Sequence, residues 1–119
     1  MARAYDRRMD AEFADARATL LAERRRVVED LRETRIVSPG QMTYGSQAAA
    51  ASQVFEQQRD LALRDHTEQH LAAIEAALER LESGSYGACT SCHLPIAPGR
   101  LEALPWAALC IDCQRSARR

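Results

Sequence analysis

The sequence predicts an all-α protein: a long antiparallel two-helix coiled-coil hairpin, followed by a small cysteine-rich unit and a short C-terminal helix. Two stretches of about 30 residues each carry apolar side chains at steps of three, four or seven, and neither contains proline or glycine. A Ser-Pro-Gly sequence separates the two stretches, and every cysteine lies beyond them in two C-x-x-C pairs. These observations predict a hairpin over residues 1–84, with its tip at about 38–52, and a second unit over 85–119.

The first helix is predicted over Ala2–Arg35. Its apolar stripe consists of Met9, Phe13, Ala16, Leu20, Val27 and Leu31. The stripe is interrupted by charge at Glu23 and Arg24, and a narrow stripe favours contact with one other helix over burial among several. The arginines of 24–26 lie at helical spacing from Glu29 and Asp30, which indicates a solvated charged face.

The connection is predicted over Ser38–Ser52, because proline disfavours helical geometry in the residue before it. The second helix is predicted over Gln53–Glu82, and Ser83-Gly84 provides its stop. Its stripe consists of Val54, Leu61, Leu71, Ile74, Leu78 and Leu81. A connection of this length makes the two helices antiparallel neighbours. With only 5% aromatic residues, a thin seam between helices fits better than a wide core.

The four cysteines predict one structural zinc ion. Cys89 and Cys92 form one C-x-x-C pair, Cys110 and Cys113 the other, and 17 residues separate them, which is within the spacing typical of a two-knuckle zinc site. Two disulfides or a thioredoxin-like redox pair are the alternatives, although a redox pair normally accompanies a strand-helix unit that is missing here. Four thiolates leave zinc no open coordination position, so no enzymatic role is expected.

The remaining residues favour ordinary structural roles. His66, His70 and His93 are expected on the surface. A small core beneath the zinc is predicted from Leu94, Ile96, Leu101, Leu104 and Trp106. In the tip, Met42 and Tyr44 fit a partner anchor and local packing equally well, and the Arg115, Arg118 and Arg119 tail would give at most a weak, salt-sensitive phosphate contact.

Charge and hydropathy narrow the classes of partner. The 16 basic residues are all arginine and 17 acidic residues leave a net charge of −1, so sequence-specific DNA binding is not expected. No run of 18 apolar residues and no signal-like N-terminal segment occurs, so we expect a cytoplasmic protein without membrane contact.

The zinc-binding half of the sequence closely resembles the zinc finger of the DksA/TraR family. The matching segments are 85–92, Ile96, 100–105 and 109–114, and the similarity continues upstream through Phe55-Glu56, 60–63 and 74–81. The resemblance implies a coiled coil with a zinc-bearing end that regulates transcription by inserting the coiled coil into the secondary channel of RNA polymerase. It implies no specific contact with promoter DNA.

The tip departs from the family pattern. Relatives of the DksA type carry an Asp-x-x-Asp-x-Ala motif there, whose positions fall on Ser46, Ala49 and Ala51 in this sequence. No Asp or Glu occurs between Thr34 and Phe55, and neutral side chains cannot act electrostatically on a catalytic magnesium ion. The resemblance is therefore compatible with polymerase binding and a lost or altered regulatory output, and dependence on the alarmone ppGpp does not follow from it.

Two other classes of function are compatible with the residues. In a structural or oligomeric interaction protein, the apolar stripes would pair with another chain and the zinc unit would cap the bundle. A DNA-binding zinc protein is disfavoured by the charge balance. Polymerase binding is the leading hypothesis, with a monomer favoured.

Overall fold

The computed structural model describes residues 13–33 and 47–117 of the chain. It contains four helices in this part: α1 (Ala14–Glu33), α2 (Gln47–Ser83), α3 (Pro98–Ala103) and α4 (Ile111–Ala117). No strand occurs in the described ranges; an isolated antiparallel bridge joins Ala88 and Pro95. The predicted all-α class, with long helices followed by a cysteine-rich unit and a short C-terminal helix, is confirmed.

The helices α1 and α2 pack along a thin apolar seam. Leu20 and Val27 of α1 lie seven residues apart on one face, and with Ile74 and Ala77 of α2 they are buried. Fully burying one such aliphatic side chain stabilises a fold by about 1.5–3 kcal/mol, so a few residues can hold the two helices together. Half-buried Leu31, Leu71, Leu78 and Leu81 extend the same cluster.

The tip-side half of α2 differs from the prediction in two ways. The helix begins at Gln47, so Gln47–Ser52 are helical and not part of the connection. Val54 and Leu61 are 45% and 50% exposed, so the predicted stripe does not continue through them. Ten residues separate Leu61 from Leu71, which at 100° per residue turns Leu61 about 80° away from the seam. The half-buried positions in this half of α2 are polar: Gln53, Gln57, Arg64 and Thr67.

The chain leaves α2 where the sequence predicts. Gly84 has a φ of 81°, and the backbone amides of Ser85 and Tyr86 donate to the carbonyl of Arg80 at 2.9 and 3.1 Å. These bonds occupy a carbonyl of the last helical turn, as in a glycine-capped helix end. The turn directs Tyr86 back under the base of the hairpin, where it is buried.

Aromatic contacts fix the cysteine-rich unit to the hairpin. Phe13, just before α1, meets Tyr86 edge to face with ring centroids 4.8 Å apart. Trp106 meets His70 of α2 in the same way at 4.5 Å. The unit therefore packs against both helices at the base.

The small core predicted beneath the zinc forms only in part. Ile96 is buried, and Leu101 and Trp106 pack against the hairpin cluster. The prediction is wrong for Leu94 and Leu104, which are 64% and 37% exposed. A unit of this size has too little interior to enclose five bulky side chains, so its apolar residues are divided between the hairpin seam and solvent.

Candidate metal centre

The first cysteine pair lies on a tight knuckle. The amide of Cys89 donates to the carbonyl of Leu94 at 2.8 Å, and the amide of His93 donates to the carbonyl of Cys89 at 2.9 Å. The amide of Ile96 donates to the carbonyl of Gly87 at 2.8 Å. His93 has a φ of 64°, the left-handed conformation that reverses the chain after Cys92. This backbone ladder brings the two sulfur atoms to the same side of the loop.

The second pair lies at the start of α4. Cys110 precedes the helix and its carbonyl accepts the amide of Gln114 at 2.9 Å, while Cys113 is one turn along. The amide of Thr90 donates to the carbonyl of Ala108 at 2.9 Å and joins the two knuckles directly. Helical geometry thus sets the spacing of the second pair, and a backbone bond sets its distance from the first.

The four sulfur atoms lie together in the arrangement that zinc requires. All four are within 4.8 Å of one another, and Sγ of Cys92 is 3.7 Å from Sγ of Cys110. A tetrahedral zinc with Zn–S bonds of about 2.3 Å places its sulfur ligands about 3.8 Å apart. The four thiols are free, and 3.7 Å is far longer than the ~2.05 Å of a disulfide bond. The donor set therefore fits one zinc ion.

The cysteine thiols of the cluster perturb one another's ionisation. Backbone amides of Cys92 and Cys110 donate to the sulfur of Cys89 and lower the pKa of its thiol to about 6. Hydrogen bonds with the side chains of Cys110, Cys89 and Cys92 raise the pKa of the Cys113 thiol to about 12, because they favour its protonated form. A bound zinc ion would replace these shared protons, since coordinating thiols are deprotonated.

Residues outside the cluster hold the second knuckle in place. The buried hydroxyl of Tyr86 donates to the carbonyl of Pro105 at 2.8 Å, and Nε of Arg100 donates to the carbonyl of Leu109 at 3.1 Å, one residue before Cys110. Nη2 of Arg80 approaches the carbonyl of Ala107 at 3.5 Å. These bonds depend on tertiary contacts, which no local sequence pattern indicates.

The three histidines have different environments. His66 and His93 are exposed, as predicted. The prediction is wrong for His70, which is half-buried: its Nε2 lies 3.3 Å from Oε1 of Glu23, and its ring contacts Trp106. Periodicity had placed His70 among charged residues, and only the fold shows that the cysteine-rich unit covers it.

At the other end of the hairpin, Ala49 and Ala51 lie in the first turns of α2. Ser46, Met42 and Tyr44 fall outside the described residues, as do 2–12 and 34–35 of the predicted first helix and the terminal Arg118 and Arg119. Arg26 pairs with Glu23 and with Asp30 in α1, as expected of a solvated charged face. In the part of the chain that the structure describes, no helix is long and apolar enough to cross a membrane.

Comparison with known proteins identifies the cysteine-rich unit. Residues 84–119 match the family model of the prokaryotic dksA/traR C4-type zinc finger. The chain carries such a finger, with four cysteines close together that can bind one zinc ion.

Relatives of known identity match more than the finger. The RNA polymerase-binding transcription factor DksA of Haemophilus influenzae is 32% identical over 117 residues, covering 92% of this chain and 81% of the relative. The factor of the same name from Buchnera aphidicola is 41% identical over 64 residues, 54% of this chain, and this match spans only 42% of the relative. The structure of transcription factor DksA2 from Pseudomonas aeruginosa superposes with a TM-score of 0.55 at 29% identity, covering 97% of this chain and 84% of DksA2.

Proposed function

The chain belongs to the DksA/TraR family, and from this premise we propose that it is a zinc-containing transcription regulator that binds RNA polymerase through the secondary channel of the enzyme. One observation carries the proposal. The similarity to a relative named as polymerase-binding extends over the hairpin as well as the zinc finger, across 92% of the chain. The family is one of transcription regulators and not of enzymes.

We further propose that Cys89, Cys92, Cys110 and Cys113 together hold one structural zinc ion. The backbone bonds of the first knuckle and the bond between the Thr90 amide and the Ala108 carbonyl support this assignment, because the four sulfur atoms on the loops that they join lie within 4.8 Å of one another. With four thiolate ligands the ion has no open position, so its role is to fix the loops around it. Those loops contain the carbonyls of Pro105 and Ala107, which accept hydrogen bonds from Tyr86 and from Arg80 near the end of α2.

The hairpin and the finger have different roles in this proposal. In the proposal, residues 1–84 form the hairpin that enters the channel and residues 85–119 form the finger that remains at its base. The 37 residues of α2 make a helix about 55 Å long at 1.5 Å per residue, so the tip of the hairpin can lie far from the finger. The aromatic contacts at the base hold the finger against the hairpin.

The neutral tip defines the regulatory output that we propose. Ala49 stands at one of the two acidic positions of the family motif and Ser46 at the other. Without a carboxylate the tip has no group to act on a catalytic magnesium ion or on charged loops beside it. We propose that this protein occupies the channel and excludes other factors without the effect of the acidic motif.

Purified zinc-loaded protein should be retained by RNA polymerase and displaced by a known secondary-channel factor. Deletion of Ser38–Ser52 should abolish competition, whereas the full chain with Ser46→Asp and Ala49→Asp should compete equally and change transcription from purified templates. Retention that no secondary-channel factor displaces would argue against the channel. The absence of any retention would remove the proposed function.

One observation favours a second candidate, a helical interaction protein without polymerase activity. Phe55 and Leu63 on α2 are 69% and 58% exposed and lie outside the seam, where another chain could cover them. A stable oligomer in sedimentation, lost on changing Phe55 and Leu63 to glutamate, would support this candidate. A monomer at the concentrations used for polymerase binding would exclude it.

A further inference from the structure

A cleft of about 840 Å³ opens at the base of the hairpin, between the start of α1 and the zinc finger. Its lining includes apolar groups from both: Phe13 before α1, and Tyr86, Ile96, Leu101 and Pro105 from the finger. A concave apolar surface of this size is large enough to receive a bulky side chain. None of the zinc-binding sulfur atoms lies among the described residues that line it.

The charged groups of the cleft are acidic. Asp15 in the first turn of α1 and Glu102 of α3 both line it, together with the polar side chains of His93 and Thr19. The described lining contains no arginine, although the chain has 16. Two carboxylates beside a low-dielectric apolar surface attract cations and repel phosphate. A partner that complements this cleft therefore presents a basic group next to an apolar group.

The floor of the cleft is closely packed and hydrogen-bonded. Gly87 has a φ of 89°, and a Cβ at this position would lie 3.3 Å from Cζ of Phe13, so glycine permits the close approach of the aromatic ring. The hydroxyl of Tyr86 is held by Pro105 at 2.8 Å. A surface that is already ordered loses little conformational entropy on binding.

The cleft is distant from the tip. It lies at the Ala14 end of α1, and the 20 residues of this helix span about 30 Å, so a molecule in the cleft does not compete for space with contacts made near Gln47. A partner that surrounds the tip half of the hairpin can reach the cleft only with a different part of its surface.

We propose that this cleft is a second contact with RNA polymerase, and that it receives a bulky apolar side chain lying next to an arginine or lysine of the enzyme. The proposal rests on the proposed function and adds a site to it. The apolar side chain packs against Phe13 and Leu101, and the basic group pairs with Asp15 and Glu102. The tip determines what happens in the channel, and the cleft contributes affinity at its entrance.

The test measures the affinity of zinc-loaded full-length protein for RNA polymerase at two salt concentrations. The first variant, Asp15→Lys with Glu102→Lys, reverses the charge of the cleft. The second variant, Thr19→Trp, places a large side chain at an exposed position of the lining and so reduces the volume of the cleft. The matched control is Glu79→Lys with Glu82→Lys, which makes the same charge change on exposed residues in the last turns of α2, at the base of the hairpin and outside the cleft lining. Circular dichroism and thermal unfolding verify that every variant is folded.

We expect both cleft variants to bind about tenfold more weakly than the wild type, and the charge-reversal variant to lose part of the salt dependence. The control should bind as the wild type does. Equal affinity of the wild type and both cleft variants would overturn the cleft proposal and leave the proposed function standing. Failure of the wild type itself to bind polymerase would overturn both.

Discussion

The hydroxyl of Tyr86 connects the start of the zinc finger to its second loop, and Tyr86→Phe removes only this hydroxyl. Tyr86 is buried, and its hydroxyl donates to the carbonyl of Pro105 at 2.8 Å. The substitution keeps the ring and its edge-to-face contact with Phe13. It leaves the Pro105 carbonyl without this donor in a buried place, which costs about 1–2 kcal/mol.

This loss is large enough to measure. For a chain of 119 residues a loss of 1 kcal/mol lowers Tm by about 4 °C, so Tyr86→Phe should unfold about 4–8 °C below the wild type in zinc-saturated buffer. The control is Ser85→Ala, which removes the exposed 3.0 Å bond between the hydroxyls of Ser83 and Ser85. An exposed substitution of this kind should change the free energy of unfolding by less than about 0.5 kcal/mol.

The pH dependence gives an independent check. Burial raises the pKa of Tyr86 in the folded state, and the nearby positive charge of Arg80 offsets part of the increase. A raised folded pKa means that the contribution of the phenol is complete below its unfolded pKa of about 10 and is lost as pH rises through the folded value. The Tm difference between the wild type and Tyr86→Phe should therefore narrow above about pH 10. Equal Tm values at neutral pH, or a difference that widens at alkaline pH, would show that the bond from Tyr86 to Pro105 does not stabilise the fold.

Three further predictions concern the seam, the turn at Gly87 and the zinc ligands. Leu20→Ala empties a fully buried position and should lower the free energy of unfolding, measured by chemical denaturation, by about 2–5 kcal/mol. Leu21 is 47% exposed, so Leu21→Ala should lower it by less than about 0.5 kcal/mol. Gly87→Ala should destabilise the fold by at least about 1 kcal/mol, because the residue has a positive φ and the new Cβ would crowd the ring of Phe13. Nothing lies within 4 Å of a Cβ at position 99, so Gly99→Ala should leave the stability unchanged or raise it. Metal analysis should find one zinc per wild-type chain and clearly less in Cys113→Ser, and full zinc retention by this variant would remove Cys113 from the ligand set.

The base of the hairpin could be predicted from the sequence because its pattern is local. Leu20 and Val27 repeat at seven residues, and Leu71, Ile74 and Leu78 repeat at three and four, so helical periodicity alone identifies the seam. The cysteine pairs are equally local, since a C-x-x-C turn brings two sulfur atoms together whatever surrounds it. The structure places all four in one cluster.

The tip half of α2 could not be predicted in the same way. Val54 and Leu61 are at helical spacing from each other, but they are exposed, and the half-buried positions there are polar. A polar seam gives no hydrophobic signal, so the pattern identified the wrong face. The alanines of 48–51 are strong helix formers, and this propensity was the available signal that α2 begins before Gln53.

The long-range contacts at the base of the hairpin could not be predicted from the sequence for a different reason. The contact of His70 with Trp106 joins residues 36 positions apart, and the bond from Tyr86 to Pro105 spans 19. Neither contact follows from local propensity, because each depends on the direction in which the chain leaves Gly84. The cleft at the base depends on the same turn and was missed with them.

A site-specific crosslink tests whether the hairpin enters the secondary channel. Phe55 lies on the tip half of α2 and is 69% exposed, so p-benzoylphenylalanine at this position directs its added benzoyl group into solvent and leaves the seam intact. In a complex with RNA polymerase, we expect this position to crosslink to residues lining the secondary channel, and a known secondary-channel factor to suppress the product. Stable binding with crosslinks only to the outer surface of the polymerase, unaffected by that factor, would contradict it.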